Sequence, residues 1–233
     1  MTPEILRQNL RWHRFGAGLS KAATIGIALI LFAILVFIFV RGIGHLSPSF
    51  FLQSPIDLGR EGGVFPIIVS TLVLCALALL IAVPLGVTTA VFLTEYTREG
   101  WVTLLIRFGA ECLAGIPSII FGLFGFMLFV VSLGMGWSLL SGGLTLACMI
   151  LPTIIRTSEE AIKTVPRGLR EVGYSLGATK SQIITRIILP QAKNGIVTGI
   201  ILALGRAIGE TAAVIFTTGI SIEMPTSLFD SAR

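Results

Sequence analysis

Five long apolar runs limit the fold of this chain more than any other feature of its sequence. They cover residues 21–40, 64–94, 104–133, 139–155 and 196–220. An α-helix needs about 20 apolar residues to cross the hydrocarbon core of a bilayer. Charged residues make up only 12% of the chain, whereas a soluble domain carries about 25%. The sequence therefore predicts an all-α integral membrane protein, a polytopic helical bundle.

Lysine and arginine residues concentrate on one predicted side of the membrane. Four lie in the N-terminal tail and seven in the segment 156–193, while the predicted loops on the other side carry only Arg41 and Arg60. Loops that remain in the cytoplasm are enriched in such residues. We therefore expect a multi-pass protein of the inner cell membrane with a cytoplasmic N-terminus. The same bias accounts for the net charge of +5 without a nucleic-acid partner.

Residues 156–193 form the one long polar stretch, which we call the polar segment. Its pattern predicts three short helices. Ser158 is expected to cap the first helix. The second is expected to start at Pro166 and end at Gly177, and Pro190 to separate the third from the fifth apolar run. Such short helices suit contact with a cytoplasmic partner, and a solvated connecting loop is the alternative.

The stretch "EVGYSLG", followed after nine residues by "IILP", resembles the EAA loop of ABC-importer permease subunits. The departure is Val172-Gly173, where the family usually has two alanines. The resemblance implies a coupling helix that docks onto the ATPase subunit. The positions that it carries over to this chain are Glu171, Gly173, Gly177, Ile187, Leu189 and Pro190.

Further stretches resemble the phosphate-specific permeases of the PstA/PstC type, among them "LAGIPSIIFGLFG" and "NGIVTGIILALGRAIGETAAV". "PLGVTTAVFLTEY" and "GREGGVFP" are more similar to PstA. The resemblance implies the type I ABC importer fold, with residues 64–233 as the permease domain. Residues 1–63 would then supply a cytoplasmic tail, the first transmembrane helix and an external loop. The family has six spans and this sequence shows five, so we expect the C-terminal span to be missing.

Membership in this family implies transport without enzymatic activity. The chain would move inorganic phosphate into the cytoplasm, driven by ATP hydrolysis on a separate subunit. The implied partners are a cytoplasmic ABC ATPase dimer, a second PstC-like permease subunit, an external phosphate-binding protein and membrane lipid. ATP–Mg would bind the ATPase, since the chain has no G-x-x-x-x-G-K-[ST] phosphate cradle. We expect no cofactor, metal or catalytic residue in this chain. The alternatives are import of molybdate or sulfate on the same fold, and a non-transporting scaffold or sensor subunit.

Two charged residues, Arg206 and Glu210, interrupt the fifth apolar run. Four residues apart, they would share one face of a continuous helix. A charge at the centre of a transmembrane helix costs about 2.5–3.5 kcal/mol on insertion scales. They could form a structural lock that fixes the helix register, or line the translocation path, where the planar guanidinium suits an oxyanion. We predict a substrate path of Arg206, Glu210, Thr211 and Ser118.

Overall fold

Helices dominate the regular structure of the part of the chain that the computed structural model describes, residues 3–56, 61–97 and 100–231, with side chains from residue 16 onward. In that part the strands are limited to β1 (Pro55–Ile56) and β2 (Glu61–Gly62), which form an antiparallel pair. The prediction of an all-α protein is confirmed. The chain divides into two compact units, Met1–Phe51 and Leu52–Arg233.

The first unit consists mainly of one helix, α1 (Pro3–Gly42), followed by a 3-10 turn at Ile43–His45. Gly16–His45 is long and apolar enough to cross a membrane, and its side chains are exposed on all sides. A helix that is hydrophobic all round is typical of a membrane span. A short helix, α2 (Pro48–Leu52), follows across the boundary between the units.

The described part of the second unit is a helical bundle. Its helices are α3 (Phe65–Val91), α4 (Trp101–Gly115), α5 (Ser118–Gly125), α6 (Leu139–Lys163), α7 (Arg167–Ser175), α8 (Lys180–Ile183), α9 (Leu189–Ile208) and α10 (Ala212–Thr218). Turns of π-helix follow α3, α5 and α8, at Phe92–Tyr96, Phe126–Ser132 and Ile184–Ile188. Three stretches besides α1 could each cross a membrane by length and composition: Phe65–Tyr96, Leu139–Lys163 and Lys180–Ile208.

The third apolar run is sharply bent. The helix direction changes by 103° between Trp101–Gly115 and Ser118–Ser132. Pro117 cannot continue a helical hydrogen-bond ladder, and it favours an extended backbone at Ile116, which has ψ 133°. The third run, 104–133, is therefore a bent pair of helices and not one continuous helix. The described residues contain four candidate spans, or five if the bent pair counts as one span.

Helix α6 lies at the centre of the bundle and packs against α3 and α9 through small residues. Its residues Met149, Ile150 and Ile154 are fully buried. A Cβ atom at Gly86 of α3 would come within 2.6 Å of Ile154 Cγ2. On α9, a Cβ at Gly195 would come within 2.6 Å of the Ala161 Cβ. Glycines at such positions let helix backbones approach closely, as in many membrane bundles.

The polar segment differs from its prediction at two of its predicted boundaries. Ser158 does not cap a helix: it is fully buried inside α6, which continues to Lys163. Pro190 does not separate two helices, because it lies in the first turn of α9, where a missing N–H is tolerated. The π-helical turn before it adjusts the hydrogen-bond ladder. The other boundaries are confirmed, since α7 begins directly after Pro166 and ends before Gly177.

Candidate functional site

Helix α7 ends in a tight, fully hydrogen-bonded reversal. The amide of Ala178 donates to the carbonyl of Gly173 at 3.1 Å, and the amide of Gly177 donates to the carbonyl of Tyr174 at 2.9 Å. These two bonds define a Schellman motif, whose C′ residue adopts the left-handed conformation. Gly177 has φ +76°. Thr179 then starts α8 with a capping box, so the chain direction between α7 and α8 is fixed by local bonds.

The predicted coupling residues divide into a buried and an exposed group. Gly173 is buried, and a Cβ there would come within 2.9 Å of Ile183 Cγ1 and 3.1 Å of Ile187 Cδ1. Leu189, like Ile187, is half-buried at the start of the long helix. The exposed positions are Glu171, Gly177 and Pro190. Gly173 and Ile187 therefore hold α7 against the following helix, while Glu171 is accessible to a partner.

Arg170 ties α7 to two other helices, a role that the sequence reasoning missed. Its Nη2 and Nε atoms donate to Oε1 of Glu95 at 2.7 and 3.1 Å. Its Nη1 donates to the carbonyl of Val165 at 2.8 Å, and Nη2 also donates to that of Ile162 at 3.3 Å. The available signal was the acidic Glu95 at the end of an apolar run, where burial calls for a basic partner.

A second ion-pair cluster lies beside α7. Glu159 of α6 has a side chain that is 1% exposed, and its Oε1 lies 2.7 Å from Arg107 Nε and 2.8 Å from Lys163 Nζ. These contacts are ion pairs by distance, without hydrogen-bond alignment. Oε2 of Glu159 has no hydrogen-bond partner among the described residues. The sequence reasoning also missed this cluster.

The surface around α7 is basic. A cavity of about 690 Å³ opens beside the helix. Four of its lining side chains are basic and two are acidic, and they are Arg107, Lys163, Arg167, Arg170, Glu95 and Glu171. The exposed Glu171 therefore lines the same cavity as the Arg170–Glu95 pair and the two basic residues that contact Glu159.

The predicted charged pair of the fifth run lies at a helix break. Helix α9 ends at Ile208 and α10 begins at Ala212. Gly209 forms the C-cap of α9, and Oε1 of Glu210 accepts a hydrogen bond at 3.4 Å from the amide of Ala213, in the first turn of α10. The prediction that Arg206 and Glu210 share one helix face is therefore wrong, and no ion pair joins them in the described structure. Gly209, with an ordinary φ of −80°, is the C-cap that separates them.

Two of the four predicted path residues line a common cavity. Glu210 and Thr211 border a space of about 230 Å³, opposite Thr71 and Cys75 of α3. Its lining does not include Arg206, which is half-buried one turn earlier on α9, or Ser118, which begins α5 at the bend. A broken helix that exposes polar groups inside a bundle is a recurring way to build a transport site. The cavity offers hydroxyl groups and one carboxylate.

The fold and these features define an all-α polytopic membrane protein with a short helix beside a basic surface and a broken helix that borders a cavity. The profile of binding-protein-dependent transport system inner membrane components matches residues 82–232. The chain belongs to this family. The recognition as an ABC transporter permease is confirmed.

Curated relatives are similar over most of the chain. "Probable ABC transporter permease protein YqgI" of Bacillus subtilis is 35% identical over 84% of this chain and 66% of its own length. "Phosphate transport system permease protein PstA 1" of Mycobacterium tuberculosis is 41% identical over 72% of this chain and 55% of its own length. "Phosphate transport system permease protein PstC" of Haemophilus influenzae is 34% identical over 91% of this chain and 77% of its own length. This chain therefore spans between about half and three quarters of these relatives.

A solved structure supports the same fold. The chain is similar to an inward-facing structure of the MetNI methionine ABC transporter, with a TM-score of 0.52 and 27% identity. The alignment covers 63% of this chain and 68% of that chain. Together with the curated relatives, this similarity confirms the helical ABC permease fold and the PstA-type resemblance.

Proposed function

We propose that this chain is the permease subunit of a binding-protein-dependent ABC importer that moves inorganic phosphate into the cytoplasm. The observation that carries the proposal is the 41% identity to a PstA phosphate permease over 168 residues. The chain itself hydrolyses no ATP. It is located in the inner membrane with its N-terminus and polar segment in the cytoplasm, as the distribution of lysine and arginine indicates.

The exposed part of the polar segment supports the first of the proposed partners, the ATPase. A cytoplasmic ATPase dimer that binds ATP–Mg docks against α7, where Glu171 is exposed beside the basic cavity. The remaining partners of the proposed importer are a PstC-like permease subunit and an external phosphate-binding protein. A short helix whose ends are fixed by Pro166 and Gly177 is a rigid element that a partner can push.

The proposed path runs past the break between α9 and α10. Arg206 donates hydrogen bonds from its planar guanidinium to phosphate oxygens. Glu210 and Thr211 face the cavity at the break, and Ser118 adds a hydroxyl at the bend. The Glu210 carboxylate repels an anion nearby, so phosphate is held weakly enough to leave.

Uptake by the assembled transporter tests this path. The importer is reconstituted in vesicles with its ATPase, its partner permease and the phosphate-binding protein, and uptake of labelled phosphate is measured. We expect Arg206→Gln to lower uptake at least about tenfold, a change of about 1.4 kcal/mol in the transport barrier. Lys193→Gln, which removes an exposed charge from the same helix, is the matched control. Uptake by Arg206→Gln at the control rate contradicts the path assignment.

The same vesicles separate the proposed substrate from its alternatives. Excess unlabelled phosphate is expected to abolish uptake of labelled phosphate, and equal excesses of sulfate or molybdate to leave it unchanged. Transport of sulfate or molybdate in place of phosphate contradicts the proposal that phosphate is the substrate. No uptake of any of them by the intact complex favours a scaffold or sensor subunit.

The docking surface has a separate test. Glu171→Lys adds a positive charge to an already basic surface, and we expect it to weaken co-purification of the ATPase at least about tenfold. Glu160→Lys changes the charge of an exposed side chain on α6 and serves as the control. Unchanged ATPase binding by Glu171→Lys contradicts the docking role.

A further inference from the structure

The polar segment contacts the π-helical end of α3 at two points. Arg170 of α7 donates two hydrogen bonds to Glu95. Lys180 of α8 places its Nζ 4.7 Å from the centre of the Tyr96 ring, within cation–π distance. Glu95 and Tyr96 are consecutive, and their two basic partners lie on either side of the Gly177 reversal. The two short helices thus contact the same turn at the end of α3, each through one basic side chain.

The first of these contacts is shielded and shared. The side chains of Arg170 and Glu95 are 19% and 10% exposed, so the pair is less screened than a surface salt bridge. The same guanidinium donates to the carbonyls of Ile162 and Val165 at the end of α6. A displacement of α7 must therefore either carry the ends of α3 and α6 with it or break four hydrogen bonds.

Helix α3 connects this contact to the cavity at the break between α9 and α10. It runs without interruption from Phe65 to Val91 and ends in the π-helical turn that carries Glu95. Thr71 and Cys75, near its other end, line the cavity with Glu210. Thr71 and Glu95 are 24 positions apart, which corresponds to about 36 Å at the rise of a helix. One continuous helical segment thus carries the contacts with Arg170 and Lys180 at one end and lines the candidate path at the other.

We propose that Arg170 is a positioning residue that fastens α7 to α3, so that a movement imposed on α7 by the ATPase reaches the cavity through α3. The proposal rests on the proposed function of α7 as the docking helix. Arg170 touches neither substrate nor nucleotide, and its effect is on the transmission of the movement. Loss of its charge leaves the ATPase docked and the cavity unresponsive.

A reporter in the cavity measures this transmission. Thr71→Cys is introduced after the native cysteines have been replaced by serine, and these are Cys75, Cys112 and Cys148. The full complex with its ATPase is treated with a hydrophilic maleimide before and after the nucleotide state is trapped with ATP and vanadate. With Arg170 present, we expect the labelling rate of Thr71→Cys to change at least fivefold on trapping.

The variants then separate transmission from docking. Arg170→Gln is expected to bind the ATPase as before and to lose most of the change in labelling. Arg186→Gln, an exposed cation of the same segment, is the matched control and should keep it. The exchange Arg170→Glu with Glu95→Arg should restore at least half of the change. If Arg170→Gln does not assemble, Glu95→Gln removes the same contact from the α3 side.

Three results overturn the proposal. The first is a full change in labelling with Arg170→Gln or Glu95→Gln. The second is loss of both ATPase binding and the labelling change in both of these variants. The third is no recovery of the labelling change in the charge exchange. The labelling assay needs no phosphate, so it tests the role of Arg170 independently of the identity of the substrate. If the wild-type complex transports no phosphate but the complex with the Thr71→Cys reporter still responds to trapping, phosphate is not the substrate. The proposed role of Arg170 is then unaffected.

Discussion

Arg107 of α4 and Glu159 of α6 form a buried ion pair, with 2.7 Å between Nε and Oε1. Lys163, one turn further along α6, approaches the same oxygen at 2.8 Å. The pair joins the first half of the bent span to the central helix of the bundle. Removing the charge of one partner from such a pair is costly, because the remaining charge loses an opposite charge in a place that water reaches poorly.

Glu159→Gln is therefore expected to lower the free energy of unfolding by about 3 kcal/mol. The variant leaves Arg107 only 18% exposed beside a neutral amide. Thermal unfolding in detergent, followed by tryptophan fluorescence, measures the change as a lower Tm. Glu160→Gln, next in sequence and with a side chain 66% exposed, is expected to change Tm little. Equal Tm values for the two variants contradict a stabilising role of the pair.

Gly195→Ala is expected to destabilise the contact between α6 and α9. The added methyl group would lie 2.6 Å from the Cβ of Ala161, so one helix must shift, at a cost of about 1–3 kcal/mol. Gly205→Ala on the same helix meets no atom within 4 Å and is expected to be neutral or slightly stabilising. Thermal unfolding of both variants measures the contrast. A Gly195→Ala protein as stable as Gly205→Ala contradicts the close packing.

Gly177→Ala is expected to loosen the reversal after α7. An L-residue with a side chain pays about 1–2 kcal/mol in the left-handed conformation, and Gly177 has φ +76°. Gly177→Asn should cost less, because asparagine adopts this conformation more readily. Gly168→Ala, which lies inside α7 with open space around it, is the control. Amide hydrogen exchange at Ala178, whose N–H closes the motif, should accelerate most in Gly177→Ala, less in Gly177→Asn and not in Gly168→Ala.

Asp230 gives the turn after α10 a dependence on pH. Hydrogen bonds to Oδ2 from the Thr226 hydroxyl and from the amides of Thr226 and Ser227, each at 2.8 Å, lower the pKa of its carboxyl group. The bonds therefore stabilise the turn fully above the unfolded pKa of about 3.9. That stabilisation is lost as the pH falls through the lower folded pKa.

Hydrogen exchange at the Thr226 and Ser227 amides checks this expectation. Corrected for the intrinsic effect of pH, their protection should be constant from neutral pH down to about 4 and then fall. Asp230→Asn should show the unprotected state at neutral pH, because the neutral amide oxygen is a weaker acceptor. Protection in Asp230→Asn equal to the wild type would show that the carboxylate does not hold the turn.

Features encoded locally could be predicted from the sequence. Run length and polarity gave the helical membrane fold, and Pro166 and Gly177 bounded α7, because a proline and a left-handed glycine act through their own backbones. Ser158 shows the limit of this reasoning. Its cap preference was overridden, because α6 buries it in the bundle core.

The ion pairs depend on tertiary contacts and escaped prediction. The four-residue spacing of Arg107 and Glu111 predicts a pair within α4. In the structure each pairs with α6 instead, Arg107 with Glu159 and Glu111 with Arg156 at 2.9 Å. The pair of Arg170 and Glu95 joins residues 75 apart. Spacing rules describe neighbours on one helix only, so they are silent about which helix lies opposite.

The break at Gly209–Thr211 also separates the rotational registers of α9 and α10. In a continuous helix, one inserted residue rotates everything beyond it by about 100°. An insertion between Ile208 and Ala212 lengthens a non-helical connection instead, so the buried faces of both helices keep their orientation. The same insertion in the middle of α6 would turn Met149, Ile150 and Ile154 out of the core. We therefore expect a one-residue insertion to preserve the fold at this break and to disrupt it in the middle of α6.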